Sequence, residues 1–109
     1  MASMNLEQFK SRVFTTCSIS LLVQSTTVLV LKETSIRLRV VLINGSFVDV
    51  FYNEQTGRTS FAQIQNKIRT FGADNAGGWH WHPRENPDAH LTAKSEITFE
   101  AFMKRLEND

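Results

Sequence analysis

Cysteine is nearly absent from this sequence: Cys17 is the single cysteine among 109 residues. One thiol excludes an intramolecular disulfide framework and a zinc site built from cysteine pairs. A reducing compartment suits such a chain, so we expect a cytoplasmic protein. Because Cys17 falls on the apolar side of an expected helix, we predict that it is a small core residue and not a nucleophile.

An excess of charge of either sign is also missing. Lysine and arginine total 12, aspartate and glutamate total 11, and the formal net charge is +1. The total charge therefore argues neither for nor against a nucleic-acid partner. A basic surface would have to come from local clustering of side chains.

A purely apolar run long enough to cross a membrane is missing as well. The longest candidate is the uncharged 19-residue stretch between Arg12 and Lys32, but eight of its residues are Ser, Thr or Gln. A membrane helix would have to satisfy each of those polar groups. We therefore expect no membrane segment, and we interpret the stretch as a helix end, a turn and a β-branched strand.

What the sequence does contain is a pattern typical of one α+β domain over residues 1–109. Amphipathic helices are expected at both chain ends, the first capped by Asn5 and the second by Thr98. We predict a four- to five-stranded antiparallel β-meander with an N-terminal and a C-terminal helix packed on the sheet, because short links permit only antiparallel neighbours. The expected elements are a helix ending near residue 17, strands at 23–31, 58–65 and 68–73, a hairpin at 36–53 and a helix after residue 98, while residues 1–3 are treated as a leader.

The expected hairpin has a register problem. Asn44-Gly45 is typical of a two-residue turn, in which both central residues take positive φ angles. That turn would place Asp49 opposite Val40 on an otherwise apolar face. Either a bulge shifts the register, or Asp49 is placed on that face for a purpose. Since a lone buried carboxylate is costly, we predict the bulge.

The rarest side chains of the chain lie together. Residues 72–90, GADNAGGWHWHPRENPDAH, hold all three histidines, both tryptophans and both prolines, and we call them the histidine segment. Residues i and i+2 of an extended stretch point to the same side, so His80 and His82 should share one face, and Trp79 and Trp81 the other. We predict that the tryptophan face anchors the segment on the sheet and that Trp81 is substantially buried.

The second half of the histidine segment should fold back toward the first half. Pro83 would end the extended stretch, and Pro87 would turn the chain so that His90 reaches the same rim. We expect the two imidazoles of the HWH motif to face a cleft that is lined by Arg69 and Asp74. Two groups that titrate near neutral pH would then lie beside a cation and a carboxylate.

Three interpretations of the histidine segment stay open from the residues alone. It can be a structural plug, in which a tryptophan packs a loop onto the core. It can be a metal site, since H-x-H with a distant third histidine suits zinc, although no HExxH motif or cysteine pair supports it. It can carry out acid–base catalysis, because RNA cleavage by the 2′-hydroxyl needs a proton acceptor, a proton donor and a cation for the phosphate. The candidate cations are Arg37, Arg39, Arg58, Arg69 and Arg84.

Two stretches, NGSFVDVFYNEQTGRTSFAQI and RTFGADNAGGWHWHPRENPDAH, resemble the TumE-type toxin family of prokaryotic toxin–antitoxin systems. The likeness covers residues 36–106 and follows an ordered string: a D-G-S hairpin, G-x-x-S-F-x-x-I, F-G-x-D-N and H-x-H-P. The sequence departs from this string at Asn44, where Asp is expected, and at Asn66-Lys67, where a Gly-containing turn is common. The resemblance implies a small toxin that a cognate antitoxin protein neutralises, and toxins of this kind often act on RNA.

The resulting hypothesis is a toxin with a metal-independent, ribonuclease-like activity and no cofactor. His80 and His82 would share general acid and base work. Asp74 or Asn75 would fix an imidazole tautomer, and Arg69 or Arg84 would stabilise the charge of the phosphorane. The predicted substrate-binding residues are Trp79, which could stack on a base, and Arg84, His90, Arg37 and Arg39.

The expected partners are the antitoxin and RNA, with a homodimer as an open possibility and no membrane. Two alternatives belong to other functional classes. One is a non-catalytic binding protein that uses the histidine segment and a sheet face, and the other is a metal-dependent hydrolase.

Overall fold

The computed structural model describes residues 4–108, so the expected leader at residues 1–3 lies outside the described residues. Each strand pairs antiparallel with the next strand along the chain, which makes one seven-stranded meander. The elements are α1 (Leu6–Ser18), β1 (Val23–Leu31), β2 (Ser35–Leu42), β3 (Phe47–Asn53), β4 (Thr59–Gln65), β5 (Ile68–Asp74), β6 (His80–His82), β7 (Leu91–Thr92) and α2 (Phe99–Asn108).

The predicted fold class is confirmed, but the predicted number of strands is wrong. The antiparallel sheet and the two terminal helices are present, with seven strands where four or five were predicted. The extra strands, β6 and β7, lie in and just after the histidine segment and have three and two residues. Runs this short show no periodicity, so they are strands because they pair with a neighbour and not because of local preference.

Both helices cover one face of the sheet, because strand alternation concentrates apolar side chains there. On β2 and β3 every second residue is buried. From α1, Phe9 stacks on Tyr52 with ring centroids 4.4 Å apart. From α2, Phe102 is fully buried against Phe61 and Phe71, with centroids 5.3 Å and 5.2 Å away. The core therefore lies between this face and the two helices.

Cys17 faces this core from α1, as predicted. Its side chain is 6% exposed. Burial raises the pKa of the Cys17 thiol, and a hydrogen bond with Thr26 opposes that rise without cancelling it. A thiol that resists ionisation is a poor nucleophile, so Cys17 is a packing residue.

The β2–β3 hairpin has the predicted register shift, which comes from a loop of three residues in place of two. The loop has three residues, because the Leu42 N–H donates to the Ser46 carbonyl at 2.9 Å, and Gly45 takes a φ of +90°. Three-residue loops of this kind end in a glycine in the left-handed region. The shift pairs Asp49 with Arg39, and their side chains form an ion pair of 3.2 Å on the face opposite the helices.

The face opposite the helices, called the open face below, carries the alternate side chains of every strand. On β2 to β4 these side chains are mostly half-buried and not sealed. The histidines project from this face. Neither described helix is long and apolar enough to cross a membrane.

Candidate functional site

Register alone brings three polar side chains together on the open face. In the β5–β6 pairing, Asp74 lies opposite His80 and Gly72 lies opposite His82. Alternation puts all of these positions on the same side of the sheet. The Asp74 carboxylate contacts both rings: its Oδ1 lies 3.3 Å from His80 Nε2, and its Oδ2 lies 2.9 Å from His82 Nε2.

The two imidazoles differ in their hydrogen bonding. His80 Nδ1 lies 3.0 Å from the Gly78 carbonyl oxygen, which can only accept, so Nδ1 carries the hydrogen. His80 Nε2 is buried and has no hydrogen-bond partner among residues 4–108. His82 faces acceptors on both sides, with Nδ1 3.1 Å from the Pro87 carbonyl oxygen and Nε2 on Asp74. His80 Nε2 thus lacks a hydrogen-bond partner, whereas His82 has an acceptor at each ring nitrogen.

His90 completes a cluster of three imidazoles. Its ring centroid lies 4.7 Å from the centroids of both His80 and His82. One ring nitrogen from each histidine can be chosen so that all lie within 4.8 Å of one another. The loop of residues 83–90 folds back over the strands, as the positions of its prolines predicted. The histidine cluster below means these three histidines with Asp74.

The loop buries two histidines of the histidine cluster and leaves the third histidine at the surface. His80 is 9% exposed and His82 is 4% exposed, whereas His90 is an exposed residue. Arg69 helps to hold the loop, because its Nη2 donates to the same Pro87 carbonyl oxygen at 3.0 Å. His90 is therefore the histidine of the cluster that is most accessible to solvent.

The carboxyl group of Asp74 is held in its ionised form. Burial would raise the pKa of Asp74, but hydrogen bonds from the Ala76 N–H and from His82, with the nearby charges of His80 and His82, outweigh it and lower the pKa. The Ala76 N–H donates to Oδ1 at 3.0 Å. A fixed negative charge therefore lies between the two buried imidazoles.

The tryptophans lie on the other side of β6, as alternation predicted. The Trp81 ring is half-buried and stacks at 5.7 Å from Phe71 and 6.3 Å from Phe102. Trp79 stacks at 6.2 Å from Phe61 and lines a cavity of about 150 Å³ between the sheet and the helices. Trp79 is thus on the helix-covered face, and the structure does not place it where a base bound at the histidine cluster could stack.

Asn75 is also turned away from the imidazoles. Its side-chain oxygen accepts from the Thr59 N–H at 2.9 Å, and its amide donates to the Gly57 carbonyl at 2.8 Å. Both polar groups are occupied by backbone. Orientation of an imidazole, which was predicted for Asp74 or Asn75, therefore falls to Asp74.

Four of the five candidate arginines divide into three groups. Arg69 lies beside the histidine cluster, as predicted. The Arg84 guanidinium lies 5.3 Å from the Phe71 ring centroid on the helix-covered face, so it is not a partner of the cluster. Arg37 and Arg39 are on the open face but on β2, four strand spacings from β6, which is about 19 Å.

Two backbone carbonyls at the site were not singled out from the sequence. The Gly78 and Pro87 oxygens orient the two buried imidazoles through their Nδ1 atoms. Gly77 and Gly78 both have positive φ, at 72° and 113°, which lets the chain turn tightly into β6. The Gly-Gly pair directly before the HWH motif was the available signal for this turn.

No protein-family model, no curated protein and no solved structure matches this chain. The resemblance to the TumE-type toxins therefore stays a prediction. What the site does has to be argued from its own geometry.

Proposed function

We propose that this protein is the toxin of a toxin–antitoxin pair and that it cleaves RNA at the histidine cluster. The observation that carries the proposal is the pairing of two imidazoles in different hydrogen-bonding states around one carboxylate. His80 Nε2 has no partner and so can accept a proton, and His82 has an acceptor at each ring nitrogen and so can hold a proton to donate. General acid–base catalysis needs one group of each kind.

The proposed reaction transfers one proton from the substrate to His80 and one proton from His82 to the leaving group. His80 Nε2 accepts the proton of a ribose 2′-hydroxyl, whose oxygen attacks the adjacent phosphorus. The bond from phosphorus to the 5′-oxygen breaks, and His82 gives its Nε2 proton to that leaving oxygen. The products are a 2′,3′-cyclic phosphate and a 5′-hydroxyl, and no other reactant is consumed.

Two neighbours support this chemistry. Asp74 holds His82 through Nε2 and offsets the positive charge of the imidazolium. The Arg69 Nε is buried without a hydrogen-bond partner in the described part of the chain, so this guanidinium keeps a donor for a phosphate oxygen. The substrate would enter by displacing His90, the exposed member, whose loop is held at the Pro87 carbonyl.

The wider open face fits a longer RNA. Arg37 and Arg39 are too distant to touch the reacting phosphate, but they would contact phosphates further along the strand. The antitoxin is the proposed protein partner, the cytoplasm the proposed location, and a homodimer stays an open alternative.

The proposal is tested first in cells and then with untagged protein. Expression without a partner should slow growth, and His82→Ala should relieve the effect. In vitro, the wild type should cleave RNA to cyclic-phosphate ends, and His82→Ala should lower the rate at least about 100-fold. Lys104→Ala, exposed on α2, is the control and should behave as wild type.

Two further results decide the mechanism. RNA with 2′-O-methyl groups should resist cleavage, because it has no hydroxyl to attack, and cleavage of natural RNA should persist in EDTA. Loss of activity in EDTA would favour the metal-dependent hydrolase. Equal toxicity of wild type and His82→Ala, in cells that contain equal amounts of folded protein, would remove the histidine pair from the function.

A further inference from the structure

The histidine cluster has a lone pair that its own hydrogen bonds do not use. His80 is nine-tenths buried, and its Nε2 points toward the Asp74 carboxylate at 3.3 Å without making a hydrogen bond. A buried acceptor without a donor is costly. Its surroundings here are an acceptor-only carboxylate and two more imidazoles, a set of lone pairs that one cation would satisfy.

We propose that the histidine cluster binds one divalent transition ion of the zinc class. The ligands would be Nε2 of His80, Nε2 of His82, one ring nitrogen of His90 and one oxygen of Asp74. Imidazoles with a single carboxylate suit zinc and its neighbours, whereas Mg²⁺ and Ca²⁺ take sets of oxygen ligands.

The second ring nitrogens support this assignment. A histidine that binds a metal usually donates its other N–H to a carbonyl or a carboxylate, which fixes the tautomer and the ring orientation. His80 and His82 both place Nδ1 against a backbone carbonyl, at 3.0 Å and 3.1 Å. Each therefore directs Nε2 at the same point, beside Asp74.

The separations of the ligand atoms fit one small ion. Ligands at about 2.0–2.1 Å from a tetrahedral zinc lie about 3.3 Å from one another. The two oxygens of Asp74 lie near this separation: Oδ2 is 2.9 Å from His82 Nε2, and Oδ1 is 3.3 Å from His80 Nε2. The nitrogens of the three histidines span up to 4.8 Å, so a bound ion draws the cluster together. His90 can supply this movement, since it lies in a loop and not in a strand.

The number of ligands predicts what the ion does. Zinc sites that act in catalysis keep a position for water, whereas four protein ligands close a tetrahedral site. Three imidazoles and Asp74 fill all four positions. The bound ion would occupy the lone pair of His80 and displace the Nε2 hydrogen of His82, so it would block the proton transfers. This inhibitory effect rests on the proposed RNA cleavage, but binding of the ion does not.

Binding is tested with Zn²⁺ alone on untagged protein. Titration against a coloured chelator should give one equivalent bound, and Co²⁺ should give the visible spectrum of tetrahedral coordination. Free Zn²⁺ at about 100 times the dissociation constant should raise Tm by about 10 °C or more. His90→Ala, at an exposed position, should fold and lose at least about tenfold in affinity, as should Asp74→Asn. Glu85→Gln, an exposed carboxylate in the same loop, is the control and should bind as wild type.

The outcomes separate the two proposals. Binding of less than one equivalent, or equal affinity in wild type and His90→Ala, would overturn the metal site whatever the protein does to RNA. If RNA is cleaved, one equivalent of Zn²⁺ should stop cleavage and EDTA should restore it. If Zn²⁺ made cleavage faster, the conclusion that four protein ligands fill every position of the ion would be wrong. Binding in a protein that never cleaves RNA would leave the metal site standing and remove the proposed function.

Discussion

At the scale of single residues, Asp74 and Asn75 show how neighbours in the chain acquire different roles. Asp74 ends β5 on the open face and contacts both buried imidazoles. Asn75 turns to the other side and clamps the backbone of Gly57 and Thr59. Successive residues of a strand point to opposite faces. By residue type, either side chain could orient a histidine. Their roles differ because β5 ends at Asp74, so that the side chains of Asp74 and Asn75 lie on opposite sides of the sheet.

Replacement of Asn75 tests this division. Asn75→Ala leaves the Thr59 N–H without its partner and removes one of the two donors to the Gly57 carbonyl, which keeps the Thr59 hydroxyl. The free energy of unfolding should therefore fall by about 1–3 kcal/mol. Urea unfolding measures the change. Asn86→Ala is the control, because that side chain is exposed and makes no hydrogen bond in the described part of the chain. Wild-type stability combined with lost RNA cleavage would show that Asn75 acts in the reaction instead.

At the scale of elements, the sequence predicted the features that follow from local patterns, such as the periodicity of apolar residues and helix capping. The predicted span of β1 agrees with the structure, and Thr98 caps α2 through its hydroxyl, which accepts from the Ala101 N–H at 3.1 Å. The positions of His80 and His82 on one face followed from alternation. The fold-back of the loop followed from its prolines, but the contact that holds the loop did not. The Pro87 carbonyl meets Arg69 from a distant strand, and a local pattern carries no such information.

Gly72 makes the close approach of β4 and β5 possible. A Cβ at this position would lie 3.0 Å from the backbone oxygen of Phe61 and 3.4 Å from Cδ of Arg69. The first contact is with backbone, which cannot rotate away. The pairing of β5, which carries Asp74, with β4 therefore depends on the absence of a side chain at position 72.

Gly72→Ala should consequently destabilise the sheet by about 1–3 kcal/mol, as other changes that overfill a packed site do. Denaturant unfolding gives the difference. Ile68→Ala, on the same strand at a side chain that is 66% exposed, is the control and should cost much less. A Gly72→Ala protein as stable as wild type would mean that β4 and β5 can separate without loss.

At the scale of the whole molecule, one aromatic cluster joins the helices to the strand that bears the histidines. Phe102 of α2 lies within 5.3 Å of Phe61, 5.2 Å of Phe71 and 6.3 Å of Trp81, measured between ring centroids. These partners come from β4, β5 and β6. The C-terminal helix therefore supports the histidine cluster from the opposite face of the sheet.

Phe102→Ala should cost about 3–5 kcal/mol. Domains of this size are stable by about 5–15 kcal/mol in total, so Tm should fall steeply and part of the protein should unfold at physiological temperature. A thermal melt followed by circular dichroism measures the change. Phe14→Ala is the control, at a phenylalanine of α1 that is 39% exposed, and it should cost less than about 1 kcal/mol. If Phe102→Ala lost as little stability as Phe14→Ala, the Phe102 ring would not be essential to the packing of α2 on the sheet.

The two borders of the sheet are unequal. β7, at one border, has two residues, while β1, at the other, has nine residues and no charge. Long uncharged border strands readily accept another chain, and five strand spacings, about 24 Å, separate β1 from β6. A chain that docked along β1 would leave the histidine cluster uncovered. If the protein acts as proposed, substitutions in β1 would change the choice of partner while the histidines stayed the same, so recognition and the proposed chemistry would evolve separately.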